Sequence, residues 1–273
     1  MKLKNNMILT ALYLSFIVIG VIMVFPFVWM IATSFKTGSD VYSLSLLPKR
    51  FTIGNYIKVL GKSDFPRWFM NSFYVAGVTT GSVLIFDPML GYAFSKYRFR
   101  GKEAIFTMIL STMMIPTEMM IIPWYMMVNK LHWNNTYWSM LFPGLCSAFG
   151  IFLMRSFFQG VPNDLLDAGR IDGLSEFGVY TRIALPLVTP ALSALGIFTF
   201  LGNWNSFLWP VIALDSKEKY TIPLALAQFS AENASQWELI MTGATVATVP
   251  IIIIFLIFQK QIIEGVQLTG VKG

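Results

Sequence analysis

Apolar positions along this chain come in long unbroken runs, and polar positions are confined to the stretches between them. No charged side chain occurs from Asn5 to Phe35, Trp133 to Met154, Ile183 to Leu214 or Leu239 to Gln259. Each run meets or exceeds the roughly 18–20 apolar residues that carry a helix across the hydrocarbon of a bilayer. A helix can cross there because it pairs its own amides where water is absent. The pattern predicts six spans, at about 7–34, 68–95, 104–128, 133–158, 185–214 and 237–258. The predicted fold is therefore an all-α membrane protein, a six-helix bundle in one transmembrane domain over residues 1–273. An even number of crossings puts both termini on one side. Prolines at 26, 116, 123, 186, 190 and 210 argue for kinked helices that pack together, because neighbours must satisfy the carbonyls that proline frees.

Composition supports this class. Apolar residues make up 55% of the chain and charged residues 12%, against roughly 25% charged in soluble domains. A soluble protein so poor in charge could not cover its surface. Lys2 and Lys4 precede the first apolar run, as in a signal peptide. That run is about twice the 7–15 residues of a signal core, so it reads as a retained span. The net charge of +6 needs no nucleic acid, since basic residues flank membrane spans on the cytoplasmic side. The short loop "KYRFRGK" at 96–102 holds four basic residues and no acid. It places itself, both termini and the loop at 159–182 in the cytoplasm. One cysteine, Cys146, and one histidine, His132, exclude an internal disulfide and a multi-histidine metal centre.

The cytoplasmic stretch "VPNDLLDAGRIDGLSEFGVYTRIALP" breaks the apolar pattern. Pro162, Asp164 and Asp167 suit a helix N-terminus, and Gly173 suits a left-handed stop. Ser175 can cap a second helix, with Pro186 beyond its end. The expectation is helix, glycine bend, helix, over about 160–184. Leu165, Ala168 and Asp172 share a face by i, i+3, i+7 spacing, with Leu166 and Gly169 beside them. The small residues at 168 and 169 let another surface approach closely. Two readings stand: a docking face for a partner, or an ordinary solvated loop helix.

Acids within the spans are Asp87 and Glu118. Charges at membrane depth cost at least ~2.5 kcal/mol on insertion scales, so they face cavities or partners. Asp87-Pro88 is a cap followed by a first-turn proline, which predicts a break in the second span. Asp87 then lines a pathway, or is a buried cap, or is protonated, or pairs at the interface with a second subunit. Glu118 stands between two prolines, with pathway and structural roles both open. Asn203, Trp204 and Asn205 combine amides with a flat ring, as a sugar site requires. An interfacial tryptophan belt is the competing reading, and His132 with Trp133 fits that belt. "GKS" at 61–63 lacks the phosphate loop's earlier glycine, since Tyr56 stands there.

Residues 167–186, "DAGRIDGLSEFGVYTRIALP", resemble the permease signature of bacterial ATP-binding-cassette importers. That signature is Glu-Ala-Ala, three residues, Gly, then nine residues to Ile-x-Leu-Pro. Asp167, Ala168 and Gly169 stand at the Glu-Ala-Ala positions, Gly173 at the glycine, and Ile183, Leu185 and Pro186 at the ending. "YAFSKYRFRGK", "MIPTEMMIIP", "SAFGIFLMRSFF", "FTFLGNWNSFLWP" and the tail "GVQLTGVKG" extend the likeness to the carbohydrate-importer branch, similar to the smaller permease of maltose-type transporters.

The resemblance implies a type I importer permease fold in a bacterial inner membrane. It implies a second permease subunit as heterodimer partner, a cytoplasmic ATPase dimer and an extracytoplasmic solute-binding protein. The chain itself would carry no cofactor; ATP and Mg would be bound by the ATPase. Leu165, Asp167, Ala168, Gly169, Asp172 and Gly173 would belong to the coupling helix, and the tail at 259–273 would reach towards the ATPase pair. Asp for Glu at 167 keeps the charge on a shorter arm, and Gly169 weakens the helix by about 1 kcal/mol relative to Ala. A self-sufficient secondary transporter or channel is the alternative, for which the chain shows no convincing internal repeat. A membrane enzyme lacks a catalytic cluster. A bulky replacement at Gly173 is expected to abolish ATP-driven uptake while the chain still inserts; normal uptake by that variant would count against a docking role.

Overall fold

The computed structural model describes the backbone of residues 2–61 and 63–270, and the side chains of 9, 10, 12–61 and 63–259. The basic side chains at 2, 4, 260 and 272, and the tail beyond Gln259 expected to meet an ATPase, lie outside the described side chains. Every regular element described is helical. In chain order they are α1 (Lys2–Ser34), α2 (Gly54–Gly61), α3 (Phe65–Lys96), α4 (Lys102–Thr112), α5 (Ile121–Lys130), α6 (Tyr137–Leu141) and α7 (Ala148–Gln159). Then follow α8 (Asn163–Ile171), α9 (Glu176–Val179), α10 (Leu185–Leu187), α11 (Thr189–Trp204), α12 (Leu208–Ala213), α13 (Ile222–Glu232) and α14 (Trp237–Gly270).

Four helical stretches are long and apolar enough to cross a membrane, at Leu12–Ser34, Phe65–Lys96, Tyr137–Gln159 and Trp237–Gln259. Two more arise from bent pairs. Lys102–Thr112 meets Thr117–Lys130 at 94°, and Glu176–Leu187 meets Thr189–Trp204 at 80°. All six predicted spans therefore have a helical counterpart, but the third and fifth are sharply bent and the fourth is interrupted by a 3-10 turn.

Several expectations change. The predicted break at Asp87-Pro88 is absent: α3 runs straight through Pro88. Asp87 does not start a segment of its own helix, because its carboxylate accepts from Ser147 N–H at the head of α7 instead. The third span breaks at 113–116, where Pro116 holds an extended ψ of 134° before a 3-10 turn, Thr117–Met120. The fourth span starts at Tyr137, and a second 3-10 turn, Phe142–Gly144, interrupts it before Ser147 caps α7 by accepting from Gly150 N–H. The fifth was expected over about 185–214, with its interruption at Pro210. It ends at Trp204, and the segment from Leu208 is a separate short helix. The helix opened by Ser175 was expected to stop before Pro186. It continues through a π-helical stretch, Tyr180–Ala184, into α10. Proline within an α-helix loses one hydrogen bond and clashes with the carbonyl four residues back. The wider π spacing accommodates it.

The chain divides into two compact units, each with its own packing. The first comprises 1–66 and 226–249. In it Lys36 is fully buried, lies 4.9 Å from the Trp29 ring, and donates to the carbonyls of Ser43 and Ser45. Asn55 Nδ2 donates to the carbonyls of Ser34 and Lys36, closing the chain where α1 ends. The second unit comprises 67–225 and 250–273. Its core packs Val83 and Tyr92 of α3 against Leu153, Met154 and Phe158 of α7, and both against Val179, Tyr180 and Leu195. Gly91 makes that approach close: a Cβ there would stand 2.7 Å from Met154 Cβ and 2.8 Å from the Arg155 backbone nitrogen. Replacing Gly91 with valine is expected to cost at least about 1–3 kcal/mol, the usual range for overpacking, read as a lower unfolding midpoint in detergent.

Candidate functional site

The predicted helix–bend–helix forms at 163–187 as an elbow. Pro162 takes the N-cap position of α8 at φ −61°, ψ 135°, and Asp164 lies in the first turn. Gly173 turns the chain at φ +84°. Its N–H reaches the Arg170 carbonyl at 3.1 Å, and Leu174 N–H reaches that of Gly169 at 3.0 Å. This pair of bonds is a Schellman closure, which needs a residue tolerant of the left-handed region. Ser175 Oγ then accepts from Gly178 N–H at 3.2 Å to start α9.

Arg170 braces the bend. Its Nε and Nη2 donate to the Glu176 carboxylate at 2.7 and 3.1 Å, and its Nη1 to Asp167 at 2.5 Å. Hydrogen bonds to Glu176 and then Asp167 raise the Arg170 pKa further above its ordinary range. Tyr97 hydroxyl, just past α3, donates to the same Glu176 at 3.1 Å. Exposed pairs of this kind contribute little to stability, about 0–1 kcal/mol. Their consequence is a fixed angle between the two arms.

The elbow has distinct faces. Leu166 is buried, and Gly169 faces inward with it: a Cβ at 169 would collide with Ile183 Cδ1. The smallness of 169 thus serves packing within this chain, in place of the partner approach expected from sequence. Outward lie Leu165 at 46% exposure, Ile171 at 85% and Phe177 at 65%, with Asp167, Ala168 and Asp172 also exposed. Space around Gly173 is open, so only backbone strain resists a side chain there. Ile171 and Phe177 were missed from sequence. The apolar spacing Leu165, Ala168, Ile171 carried the signal for the first; the second lies beyond the bend, 6.2 Å from the Tyr180 ring.

A cavity of about 570 Å³ lies in the same unit where three broken spans meet. The break in the third span contributes Met113, Ile115 and Thr117, that in the fourth Gly144, Cys146 and Ser147, and the end of the fifth Phe198, Thr199 and Asn203. Trp124 and Phe149 add aromatic walls. Its lining thus mixes hydroxyls and an amide with flat apolar rings.

The sequence-selected polar residues distribute unevenly around it. Asn203 lines it, steadied by an Nδ2 bond to the Thr199 carbonyl at 2.9 Å. Trp204, the next residue, is buried away from it, stacked on Phe200 and edge-on to Phe69. Asn205 is exposed and bonds back to the Leu201 carbonyl. Glu118 is exposed in the 3-10 turn of the third-span break, beside Thr117 of the lining. Asp87 lies behind the wall, fully buried, and accepts from Cys146 S–H at 3.1 Å and Ser147 N–H at 3.2 Å. Its oxygens serve the backbone where α7 begins, while Ser147 itself caps that helix. Thr117, Ser147 and Thr199 escaped the sequence reading because single hydroxyls carry no spacing signal; helix breaks alone assemble them.

Residues 88–267, which include the elbow and most of the cavity lining, match the family described as binding-protein-dependent transport system inner membrane component. The chain belongs to this family. The arabinooligosaccharides transport system permease protein AraQ of Bacillus subtilis is 37% identical over 268 residues, covering 96% of this chain and 95% of that protein. The trehalose/maltose transport system permease protein MalG of Thermococcus litoralis is 29% identical, covering 96% of each. In fold, the chain matches a crystal structure of a bacterial ABC transporter involved in the import of the acidic polysaccharide alginate, at a TM-score of 0.82 and 23% identity over 94% of this chain and 96% of that one. The importer-permease fold expected from the signature at 167–186 is therefore the fold observed.

Removing the second cap by Ser175→Ala is expected to cost about 1 kcal/mol locally, read as faster hydrogen exchange at residues 176–179.

Proposed function

We infer that this permease is the membrane-embedded half-channel of an ATP-driven carbohydrate importer. It has no catalytic step of its own. The observation that carries the reading is an exposed apolar ridge on a braced elbow, in a chain whose family works with binding proteins. Leu165, Ala168 and Ile171 recur every three residues on α8, and Phe177 extends the ridge across the bend. Such helix faces insert into partner grooves through apolar anchors at i, i+3 and beyond. The partner on this reading is a cytoplasmic ATPase dimer, which binds ATP and Mg. Asp167 and Gly173 contribute by holding the elbow rather than by touching the partner; Asp172 lies on the docking side.

The elbow then faces the cytoplasm of a bacterial cell, and both termini lie on that side of its inner membrane. A second permease subunit supplies the other wall of the pathway, and a solute-binding protein delivers cargo from outside. The carbohydrate class is supported by relatives named for arabinooligosaccharides and for trehalose and maltose. It is supported too by the cavity, since Asn203, Ser147 and Thr199 offer hydrogen bonds to hydroxyls and Trp124 and Phe149 offer apolar faces to a sugar ring.

Ile171→Glu places a charge on the ridge and is expected to lower recovery of the ATPase with the affinity-purified permease complex by about tenfold or more, as for loss of an interface anchor. Undiminished recovery would refute docking at this ridge. Uptake by the isolated chain in vesicles, driven by an ion gradient without ATP, would favour a self-sufficient secondary transporter. In the reconstituted complex, the solute that raises ATPase activity together with its binding protein identifies the cargo.

A further inference from the structure

We propose that Asp87 is a positioning residue that locks α7 onto α3, making the two helices one strut between the elbow and the cavity wall. The inference rests on the importer reading above. It concerns how movement of the elbow reaches the cavity.

Four contacts join α3 to α7 and the residues flanking it, in parallel register. Ser82 hydroxyl donates to the Leu145 carbonyl at 2.7 Å. The Asp87 carboxylate accepts from Cys146 S–H and from Ser147 N–H. Gly91 lets α3 touch the backbone of α7 at Met154 and Arg155. Lys96 Nζ donates to the Val161 carbonyl at 2.5 Å and to Asn163 Oδ1 at 3.0 Å. From Ser82 to Lys96 these points span about 21 Å of α3 at 1.5 Å per residue. Gly150 belongs to the same fit, since a Cβ there would collide with Asp87 Oδ2.

The two ends of this seam fall at the two functional places. Leu145, Cys146 and Ser147 form or adjoin the cavity wall, while Val161 and Asn163 lead into α8. Aromatic packing closes the middle: Tyr92 of α3 meets Phe158 of α7 at 5.3 Å and Tyr180 of the elbow at 5.2 Å between ring centroids. A displacement of α8 is thereby applied to both helices together. Asp87, with Ser82 beside it, is where the strut grips the head of α7. There the fourth span is already broken, and no backbone ladder continues the stiffness.

The test uses the complete complex in proteoliposomes, measuring solute uptake and ATP hydrolysis together. Asp87→Ala is expected to lower uptake per ATP by about tenfold, within the usual range of a coupling change, with the ATPase rate still raised by loaded binding protein. Asp87→Asn keeps an acceptor for Ser147 N–H and is expected to restore the ratio. Lys96→Met is expected to uncouple in the same way, and Lys96→Arg to restore. A normal ratio in Asp87→Ala, or a parallel fall of both rates that asparagine does not rescue, overturns the strut. So does an electron cryomicroscopy comparison of nucleotide-free and ATP-bound states in which the Asp87–Ser147 bond is present in only one. Wild-type uptake without ATP dependence would instead defeat the importer reading, so the two failures are separable.

Discussion

Inside hydrocarbon, a backbone amide released from its helix has no water to turn to, and everything distinctive in this protein follows from how the freed groups are satisfied. The third, fourth and fifth spans are all interrupted. Residues beside all three interruptions line one cavity, and side chains of α3 hold the fourth. Ser82 takes the Leu145 carbonyl, Asp87 takes Ser147 N–H, and Ser147 in turn takes Gly150 N–H. Trp209 Nε1 donates to the Ser139 carbonyl at 2.8 Å in the same manner. Irregular backbone at membrane depth is tolerated where protein or a cavity surrounds it, and here it has both.

That arrangement explains a division of labour. Among the cavity-forming spans, α3 is long and unbroken, and it serves as the reference against which the others are placed. Its N-terminal part anchors the loop before α13 through Trp68 and Asn71, which donate to the carbonyls of Lys217, Glu218 and Tyr220. Its C-terminal end carries Lys96 and leads to Tyr97, which meet the base of α8 and Glu176. The elbow outside follows the opposite logic: exposed ion pairs set its angle, while its apolar ridge is left uncovered in the chain alone.

An acid at position 87 looks costly until its partners are counted. A carboxylate near the first N–H groups of a helix gains from the helix dipole as well as from the hydrogen bond. The geometry makes Asp87 a fastening between neighbouring helices and accounts for a glycine at 150, where the carboxylate leaves no room for a side chain.

Much of this was fixed by local chemistry and so was legible in the sequence. Uncharged runs define crossings because helices must satisfy themselves in lipid. The elbow was readable because Pro162, Gly173 and Ser175 act on their own neighbours, and the spacing from Asp167 to Pro186 marked the family. What could not be read depends on partners distant in sequence. Asp87-Pro88 has the form of a helix start, yet its acceptor oxygens go to residue 147, some sixty positions on. Gly169 looked open to a partner until Ile183 filled the space beside it. Trp204 and Asn203 are adjacent, and only tertiary packing buries one and gives the other to the cavity. Rules of local propensity carry no term for such contacts. The amino-acid order therefore determined the crossings, the bend and the family, and the tertiary structure decided which polar groups meet, because a hydrogen bond depends on distance in space rather than along the chain.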